Sequence, residues 1–355
     1  MNVQIDIVHI FDYRFLKNDS VDVDIFNRAC NIERSKGNTA NQPQDIGPVM
    51  SALENRAILM SVMDSNAIEG IRTTEDRLVA LVSGRVSPIG HDECEIAGYR
   101  DALRFIHLNH ENIILNKEFI LELYNMLMSN TGDGPFGFKK RDNVIIDRGP
   151  DGTITDMYRT VSAAETEESI DQLLMSYWEV RDDVGIHKLL LIPCFIMDFL
   201  RIHPFPDGNG RMSRLLTTLL LYQEGYDICR YVSMESKINS SKAYYYKALE
   251  ESQVGWFEND CDYRPFISYF LDQLFLCYRE LNLNLGTEMG RRKGSDALES
   301  FLRMCTIHVS KRDLCSMFPD ISESTVSRVL KRMCDSGELM RIGGSKSTRY
   351  VRVNK

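Results

Sequence analysis

The apolar positions of this chain recur mainly at helical spacing. Residues 46–63, 119–128 and 170–180 each place apolar side chains three or four positions apart, with Asp, Glu and Asn between them. This spacing predicts amphipathic helices with one buried face. Residues 186–199 are apolar nearly all round, which predicts a buried central helix, and Pro193 within it predicts a kink or a stepped start. The body of the protein is therefore expected to be mainly α-helical.

One segment departs from the helical pattern. Residues 143–156 run as β-favouring residues, a Gly-Pro-Asp-Gly turn and further β-favouring residues. This order predicts a short β-hairpin. The expected fold class is thus mainly α, a helical core with one short hairpin, plus a small C-terminal domain of a different pattern.

The C-terminal pattern begins after residues 286–296, which are polar, basic and glycine-bearing and are typical of a linker. Beyond the linker the sequence predicts three helices and then two strands (298–304, 311–317, 322–337, 338–342 and 349–353). A serine precedes the third helix as a cap, and Gly337 ends it. Helix, turn, helix and a β-wing resemble a winged helix-turn-helix domain over residues 297–355.

Charge is distributed unevenly along the chain. The formal net charge is −9, but residues 288–355 carry 14 Lys and Arg against 8 Asp and Glu, a net +6, which leaves −15 for residues 1–287. The acidic body excludes a nucleic-acid coat over the whole chain, and the basic tail suggests a separate partner. The third helix and the wing would offer polar and basic side chains to DNA (Ser324, Thr325, Ser327, Arg328, Lys331, Arg332, Lys346 and Arg349). A winged helix can equally dock a protein, so both partners stay open.

Cysteine usage and the chain start bear on the compartment. Nine cysteines are scattered singly with no Cys-x-x-Cys pair, so neither a disulfide framework nor a zinc site is indicated. The start has no basic stretch followed by an apolar one, and the most apolar segment, 189–197, is far short of a membrane span. The expectation is a cytoplasmic protein that does not associate with a membrane.

The chemistry of the chain is concentrated in residues 203–211, His-Pro-Phe-Pro-Asp-Gly-Asn-Gly-Arg, with a further Arg at 214. The two glycines that flank the Asn leave backbone N–H groups open at the start of an apolar helical run, where anions bind. Arg211 and Arg214 are three positions apart on the first turn, so both guanidinium groups can face one anion. The pattern indicates a phosphate site with a proton acceptor, His203, beside it.

This string resembles the signature of the Fic family, His-x-Phe-x-(Asp/Glu)-Gly-Asn-Gly-Arg-x-x-Arg, at every fixed position, and the resemblance covers about residues 45–270. Most members transfer AMP from ATP to a protein hydroxyl. The resemblance implies that His203 is the general base, that Asp207 is the ligand of a Mg²⁺ ion and that ATP is the substrate. It also implies a set of nucleotide-binding residues (Gly208, Asn209, Gly210, Arg211 and Arg214).

Two further features follow from the resemblance. In Fic proteins a hairpin at this place, the flap, aligns the backbone of the target by adding a strand, and this role falls here to Asn143, Val144, Ile145 and Ile146. Tyr245 lies in a tyrosine run that resembles the stretch where an aromatic ring flanks adenine. A tyrosine cluster at helical spacing equally predicts core packing, and both interpretations stay open.

A second signature, Ser65-Asn-Ala-Ile-Glu-Gly70, matches the family's inhibitory motif, (Ser/Thr)-x-x-x-Glu-(Gly/Asn). Helical spacing of four puts Ser65 and Glu69 on one face, and Gly70 is a natural helix terminator. The resemblance implies that Glu69 pairs with Arg214 and holds it away from the γ-phosphate. A carboxylate here can also position a water at the α-phosphorus, so removal of AMP stays open beside its addition.

The predicted organisation has four parts: an N-terminal helical region with the inhibitory motif, a Fic catalytic core, a linker and a winged helix (1–95, 96–285, 286–296 and 297–355). The predicted function is a protein adenylyltransferase that modifies Ser, Thr or Tyr of a protein, itself included. The alternatives are a Fic-type phosphotransferase and a nucleotide-sensing, DNA-binding regulator. Gly210 favours AMP transfer, because Doc toxins carry Lys there, and an intact His203 and Asp207 argue against a sensor. A homodimer stays open.

Overall fold

The computed structural model describes residues 8–18, 22–40, 47–132, 136–148, 154–288, 309–318, 321–344 and 348–353, together with 295, 298, 299, 302 and 303. Of the helix expected over 298–304, residues 298, 299, 302 and 303 are described and helical, and the other three lie outside the described residues. In chain order the helices are α1 Phe15–Asn18, α2 Val23–Ala40, α3 Gly47–Ile68, α4 Glu75–Val82, α5 Gly90–Asn109, α6 Lys117–Met128, α7 Thr166–Arg181, α8 Lys188–Ile202, α9 Asn209–Gln223, α10 Met234–Ser240, α11 Lys242–Gln253, α12 Arg264–Glu288, α13 Lys311–Met317 and α14 Glu323–Asp335. The strands are β1 Val144–Arg148, β2 Ile154–Arg159, β3 Leu339–Ile342 and β4 Arg349–Arg352.

The mainly helical fold class is confirmed, and the ends of several helices follow local chemistry. Asn116 and Ser322 cap α6 and α14 by accepting the backbone N–H three residues on. At the end of α3, Gly70 has a φ of +84°, and the N–H of Ile71 returns to the carbonyl of Asn66. A left-handed glycine after the last turn is a common helix terminator, which is what the sequence predicts for Gly70.

Helix α12 corrects one expectation. The sequence pattern was expected to thin after Cys277 and give way to a linker at 286, but the helix continues to Glu288. Tyr278, Leu281 and Leu285 are all buried, at 3%, 1% and 1% exposure. Their spacing of three and four continues the apolar stripe through the polar run, and burial of that stripe outweighs the asparagines between them.

The C-terminal segment contains the predicted helices α13 and α14 followed by an antiparallel pair of strands. The register of β3 and β4 runs from Leu339 opposite Arg352 to Ile342 opposite Arg349. The inner face of α14 is buried (Val326, Val329, Leu330 and Met333). The helix and strand predictions for this segment are confirmed, and its assignment as a winged helix stays a prediction.

The chain divides into two compact units, each built from separated stretches of sequence. The first unit comprises Met1–Asn31, Phe105–Gly225 and Ser241–Gln273, and the second comprises Ile32–Arg104, Tyr226–Ser240 and Leu274–Lys355 (these six ranges include undescribed residues). The first unit holds residues 203–214 and the hairpin, and the second holds residues 65–70 and the C-terminal segment. The four-part organisation along the chain stays a prediction.

Helix α8 is the centre of the first unit and packs against α7 and α9. Its residues from Leu189 to Ile202 are all buried, which confirms the predicted central helix, and the helix continues through Pro193. Its length falls short of a bilayer, and among the described residues no helix combines the length and apolar character needed to cross a membrane.

A buried carboxylate, Asp198, ties α8 to two distant segments of the first unit. It accepts hydrogen bonds from the Tyr13 hydroxyl at 2.7 Å, the Trp256 indole N–H at 2.8 Å and the Tyr263 hydroxyl at 2.9 Å. Burial raises the pKa of this carboxyl to about 7, although all three donors lower it. These bonds fix the helix one turn before its C-terminal end.

Candidate active site

His203 ends helix α8 in an unusual backbone conformation. Its φ of 54° and ψ of 58° are left-handed, a region that non-glycine residues rarely occupy. The backbone N–H bonds to the carbonyl of Phe199 at 3.0 Å, and Nδ1 lies 3.2 Å from the carbonyl of Leu200. A carbonyl can only accept, so this contact requires the proton on Nδ1, and in the neutral ring Nε2 then carries the lone pair. The ring thus has the tautomer that a proton acceptor needs.

The loop after His203, residues 203–211, is called the motif loop below. Phe205 is fully buried and stacks on Tyr124 with ring centroids 3.7 Å apart. The Asn209 side chain accepts from the Phe205 N–H at 2.9 Å and donates to the Phe205 carbonyl at 2.8 Å. Asn209 therefore braces the loop, and its predicted role in the nucleotide cradle stays a prediction.

The anion site predicted from the sequence lies at the first turn of α9. Gly208 caps the helix with a φ of +77°, a conformation that only glycine adopts readily. The N–H groups of a first helical turn have no partner within the helix and bear partial positive charge. Arg211 and Arg214 follow on the same helix and are 1% and 4% exposed. Two buried arginines therefore follow directly on a glycine-capped helix N-terminus.

Asp207 is the exposed member of the motif loop. Its side chain is 73% exposed, and its Oδ2 lies 3.6 Å from Nη2 of Arg211. Across the described residues, no group of three or more His, Cys, Asp or Glu side chains could hold a metal ion. Mg²⁺ is commonly held by only one or two carboxylates, with substrate phosphates and water completing its shell. An exposed carboxylate beside a helix N-terminus fits that arrangement.

The predicted hairpin is confirmed, with strands that lie slightly later in the chain than expected. β1 and β2 pair antiparallel, from Val144 opposite Arg159 to Arg148 opposite Ile154, with an irregularity between Asp147 and Arg148. Val144 is 45% exposed. The backbones of Ile145 and Ile146 pair with those of Tyr158 and Met157.

Asn143, just before β1, joins the hairpin to the motif loop. Its Nδ2 donates to the carbonyl of Phe205 at 3.0 Å, while its Oδ1 accepts from Thr160 at 2.7 Å. The Thr160 hydroxyl is also 2.8 Å from the carbonyl of Asn143. The residue predicted to begin the target-docking edge therefore also holds the loop that carries His203.

Lys139 is a site residue that the sequence did not reveal. Its side chain is 4% exposed, and Nζ donates to the Ile202 carbonyl at 3.0 Å, to Asn143 Oδ1 at 2.8 Å and to Thr160 Oγ1 at 3.1 Å. Its backbone N–H donates to the carbonyl of Pro204 at 2.8 Å. Burial lowers the pKa of this ammonium to about 8. Lys139 stands in the run Lys-Lys-Arg-Asp, which is typical of a solvated surface, so no sequence signal marked it.

Replacing Lys139 with Met is expected to lower the free energy of unfolding by about 1–3 kcal/mol at pH 7. Met has a similar length but donates no hydrogen bond, so three acceptors at the joint between hairpin and loop lose a donor. Thermal unfolding of the full chain measures the effect. Lys140→Met is the matched control, because Lys140 is exposed. An equal loss in both variants would show that the Lys139 bonds contribute nothing.

The predicted inhibitory residues lie at the end of α3 in the second unit. Ser65 is fully buried, whereas Glu69 and Gly70 follow the last helical residue and are exposed. The prediction that Glu69 is presented at a helix end agrees with this placement. Its pairing with Arg214 stays a prediction.

Helix α3 is fastened to α10 by two buried carboxylates. Glu235 accepts from Ser61 Oγ at 2.7 Å and from the Tyr99 hydroxyl at 3.0 Å. Asp64 accepts from Asn239 Nδ2 at 2.8 Å and from the hydroxyl of Ser236. Buried, hydrogen-bonded carboxylates of this kind hold a helix in one register. Helix α3, which leads into Glu69, is therefore held in place by its hydrogen bonds to α10.

Tyr245 is placed in an aromatic cluster. It is 5% exposed, and its ring centroid lies 5.3 Å from Tyr246, 5.7 Å from Tyr269 and 6.1 Å from Phe266. These packing distances are typical of aromatic pairs in a core. They account for the burial of the ring, and the adenine-flanking role stays a prediction.

Comparison with known proteins finds relatives for the part of the chain that contains the motif loop. Residues 114–221 match the model of the Fic/DOC family. The chain is 23% identical over 242 residues to protein adenylyltransferase Fic of Aedes aegypti, and 26% identical over 215 residues to protein adenylyltransferase fic-1 of Caenorhabditis elegans. These matches cover 67% and 57% of this chain but only 44% and 37% of the relatives. The matched part thus spans less than half the length of either relative.

Solved structures share the fold. A Fic family protein from Desulfovibrio desulfuricans superposes with a TM-score of 0.62 at 21% identity, covering 95% of this chain and 98% of that one. A Fic-1 structure from C. elegans gives a TM-score of 0.55 at 21% identity, covering 75% and 72%. The helical architecture around the motif loop is therefore the Fic fold.

Proposed function

We propose that residues 114–221, which match the Fic/DOC family model, form a Fic domain, and that the chain is a protein adenylyltransferase that transfers AMP from ATP to a protein hydroxyl. One observation carries the proposal: the motif loop joins His203, whose Nδ1 contacts the Leu200 carbonyl, to the N-terminus of α9, which carries the buried Arg211 and Arg214. A base and an anion cradle are the two components that nucleotidyl transfer requires.

The reaction uses few groups. A Ser, Thr or Tyr hydroxyl oxygen forms a bond to the α-phosphorus of ATP, and the bond from that phosphorus to the bridging oxygen breaks, so that pyrophosphate leaves. His203 Nε2 takes the hydroxyl proton. Arg211, Arg214 and the first-turn N–H groups of α9 neutralise the phosphates. Mg²⁺, when bound beside Asp207, would supply further charge neutralisation to the leaving group.

The hairpin would hold the target. An extended segment can add to a strand edge through main-chain hydrogen bonds, which demand little of its sequence. The bonds from the Lys139 N–H to Pro204 and from Asn143 to Phe205 support this role, because they hold the base of the hairpin against the loop that carries His203. The same edge would serve a segment of a second copy, so that self-modification is included in the proposal.

Labelling separates this function from its alternatives. The full chain is incubated with Mg²⁺ and ATP labelled on either the α- or the γ-phosphate, and label retained on protein is measured. Retention of the α-label supports AMP transfer, whereas retention of the γ-label alone would establish a phosphotransferase. Retention of neither label, on the chain or on a cell extract, would leave a nucleotide sensor as the function.

Autoinhibition by Glu69 is the proposed control of the reaction. Glu69 would occupy Arg214 and keep that guanidinium from the γ-phosphate, and the exposed position of Glu69 after a fixed helix supports this. Removal of AMP by the same carboxylate is part of the proposal, since a carboxylate can orient a water as well as pair with a guanidinium.

Replacing Glu69 with Gly is expected to raise self-modification from α-labelled ATP at least about tenfold, because about 1.4 kcal/mol of competition for Arg214 is relieved. Adding Arg214→Ala should abolish the gain, since the freed guanidinium is then missing. Glu111→Gly serves as the control, because it removes an exposed carboxylate from a turn elsewhere. Equal rates for Glu69→Gly and the parent would leave residues 65–70 as a helix end only.

Duplex DNA is the second proposed partner, through residues 297–355. Its support is the outer face of α14, where Arg328 and Lys331 are exposed opposite the buried face. Arg349, expected to contact phosphate, instead forms an ion pair with Asp76.

The described cysteines are all free thiols, which supports the proposed location in the reducing cytosol.

A further inference from the structure

A cavity of about 450 Å³ lies in the second unit between α4 and the C-terminal segment. Helix α4 contributes one wall, and the start of α13 with strands β3 and β4 contributes the other. Five cationic and two acidic side chains line it (Arg85, Lys311, Arg312, Arg341 and Arg349 against Asp76 and Asp313). The lining therefore has a formal surplus of three positive charges.

Only part of this charge is neutralised within the cavity. Arg85 forms an ion pair with Asp313, and Arg349 Nε lies 2.5 Å from Asp76 Oδ1. Lys311 pairs with Glu323 at 2.8 Å. Arg341 and Arg312 make no ion pair within the described part of the chain. Both side chains are exposed, and Nη2 of Arg341 lies 3.4 Å from Thr348 Oγ1, so two guanidinium groups at the cavity edge have no carboxylate partner among the described residues.

We propose that this cavity binds a small anion bearing phosphate groups, which displaces Asp76 from Arg349. Planar guanidinium groups bind phosphate oxygens in pairs, and three of them line the cavity besides the one that Asp313 holds. The side-chain hydroxyls of Ser310 and Thr348 add donors at its wall. The volume suits a small molecule, whereas a duplex would reach only the rim, so a free anion is favoured over DNA.

Asp76 is the weaker of the two anchors between α4 and the C-terminal segment. Its side chain is 55% exposed, whereas that of Asp313 is 6% exposed and also caps α13. An exposed ion pair contributes little stability, so a phosphate can replace the carboxylate of Asp76 at small cost. Arg85 and Asp313 would keep the segment attached.

Occupancy would be transmitted to the turn that follows Gly70. Asp76 lies in the first turn of α4, and Glu93 holds the other side of that turn through Thr73 Oγ1 at 2.9 Å and an ion pair with Arg77. With Asp76 released, Glu93 and Asp92, which accepts the backbone N–H of Arg72 at 3.3 Å, are the remaining side-chain anchors of this segment. Residues 69–74 would then gain freedom when phosphate is bound, whatever reaction the first unit performs.

Calorimetric titration of the full chain with inorganic pyrophosphate tests the site. The double variant Arg312→Ala, Arg341→Ala should bind about tenfold more weakly than the parent, because two charged hydrogen-bond donors are lost. The control Arg328→Ala, Lys331→Ala removes two cations outside the cavity and should stay within about twofold. All three proteins keep the motif loop unchanged, so any pyrophosphate that binds there contributes equally to each titration and does not affect the comparison. Equal affinities in parent and cavity variant would overturn the proposal, and so would equal losses in both variants.

Two further measurements address displacement and the nature of the ligand. Asp76→Asn should bind pyrophosphate about threefold more tightly, since a competing carboxylate is removed. Amide hydrogen exchange over residues 69–74 should rise with pyrophosphate in the parent but not in the cavity variant. Unchanged affinity in Asp76→Asn would refute displacement. Loss of binding to a short DNA duplex, with pyrophosphate binding kept, would assign these arginines to nucleic acid instead.

Discussion

Replacing His203 with Ala is expected to lower AMP transfer about 10²- to 10⁴-fold while nucleotide binding is largely kept. The hydrogen bond from Nδ1 to the Leu200 carbonyl leaves Nε2 as the acceptor for the hydroxyl proton. Ala removes that acceptor. It retains a Cβ, so the left-handed backbone at this position is as strained as before, and the motif loop keeps its other bonds.

The measurement is self-modification from α-labelled ATP, with nucleotide affinity determined in parallel by calorimetry. His91→Ala is the control, because its side chain is 65% exposed and lies in the second unit. A His203→Ala variant that transfers AMP at the parental rate would remove His203 from the mechanism. Loss of nucleotide binding together with activity would instead assign the residue to the cradle.

Replacing Asp207 with Ala should reduce Mg²⁺-dependent turnover by about 100-fold or more, because a bound divalent ion contributes several kcal/mol of charge stabilisation. The fold should be little affected, since the Asp207 side chain is 73% exposed and its contact with Arg211 spans 3.6 Å. The rate is measured as Mg²⁺ is titrated, and the variant should need a far higher concentration or fail to saturate.

Asp182→Ala controls for the loss of one exposed carboxylate from the first unit. Turnover of the parent in an excess of chelator would contradict both the metal and the role of Asp207. A parental Mg²⁺ response in Asp207→Ala would keep the metal but place its protein ligand elsewhere.

The features that sequence predicted well are those with local causes. Gly70 ends α3 because a left-handed residue is needed there, and Ser322 starts α14 because its hydroxyl satisfies a free N–H. The motif loop was recognisable because its residues are contiguous. The predicted buried helix before it, α8, follows from a continuous apolar run.

The features that sequence missed depend on distant contacts. Lys139 looks like a surface residue until the hairpin and the motif loop fold around it, and nothing in its neighbours indicates this. Helix α12 extends beyond its expected end because partners elsewhere in the chain bury Leu281 and Leu285. Each of the two units combines three stretches that are far apart in the sequence, and such grouping leaves no local pattern along the chain. For the same reason the ion pair of Arg349 with Asp76 was not foreseen.

The bonds from Lys139 to Asn143 and Ile202 bear on how tightly the proposed target can bind. Docking through main-chain bonds gives modest affinity, and much of it is lost when flexible segments must first be ordered. Here a single ammonium already orders the hairpin base and the end of α8 in the unbound protein. The conformational entropy of that region is lost during folding, so a target docked on the hairpin as proposed would meet a preorganised surface whatever its sequence. Low sequence selectivity and useful affinity are then compatible in the same site.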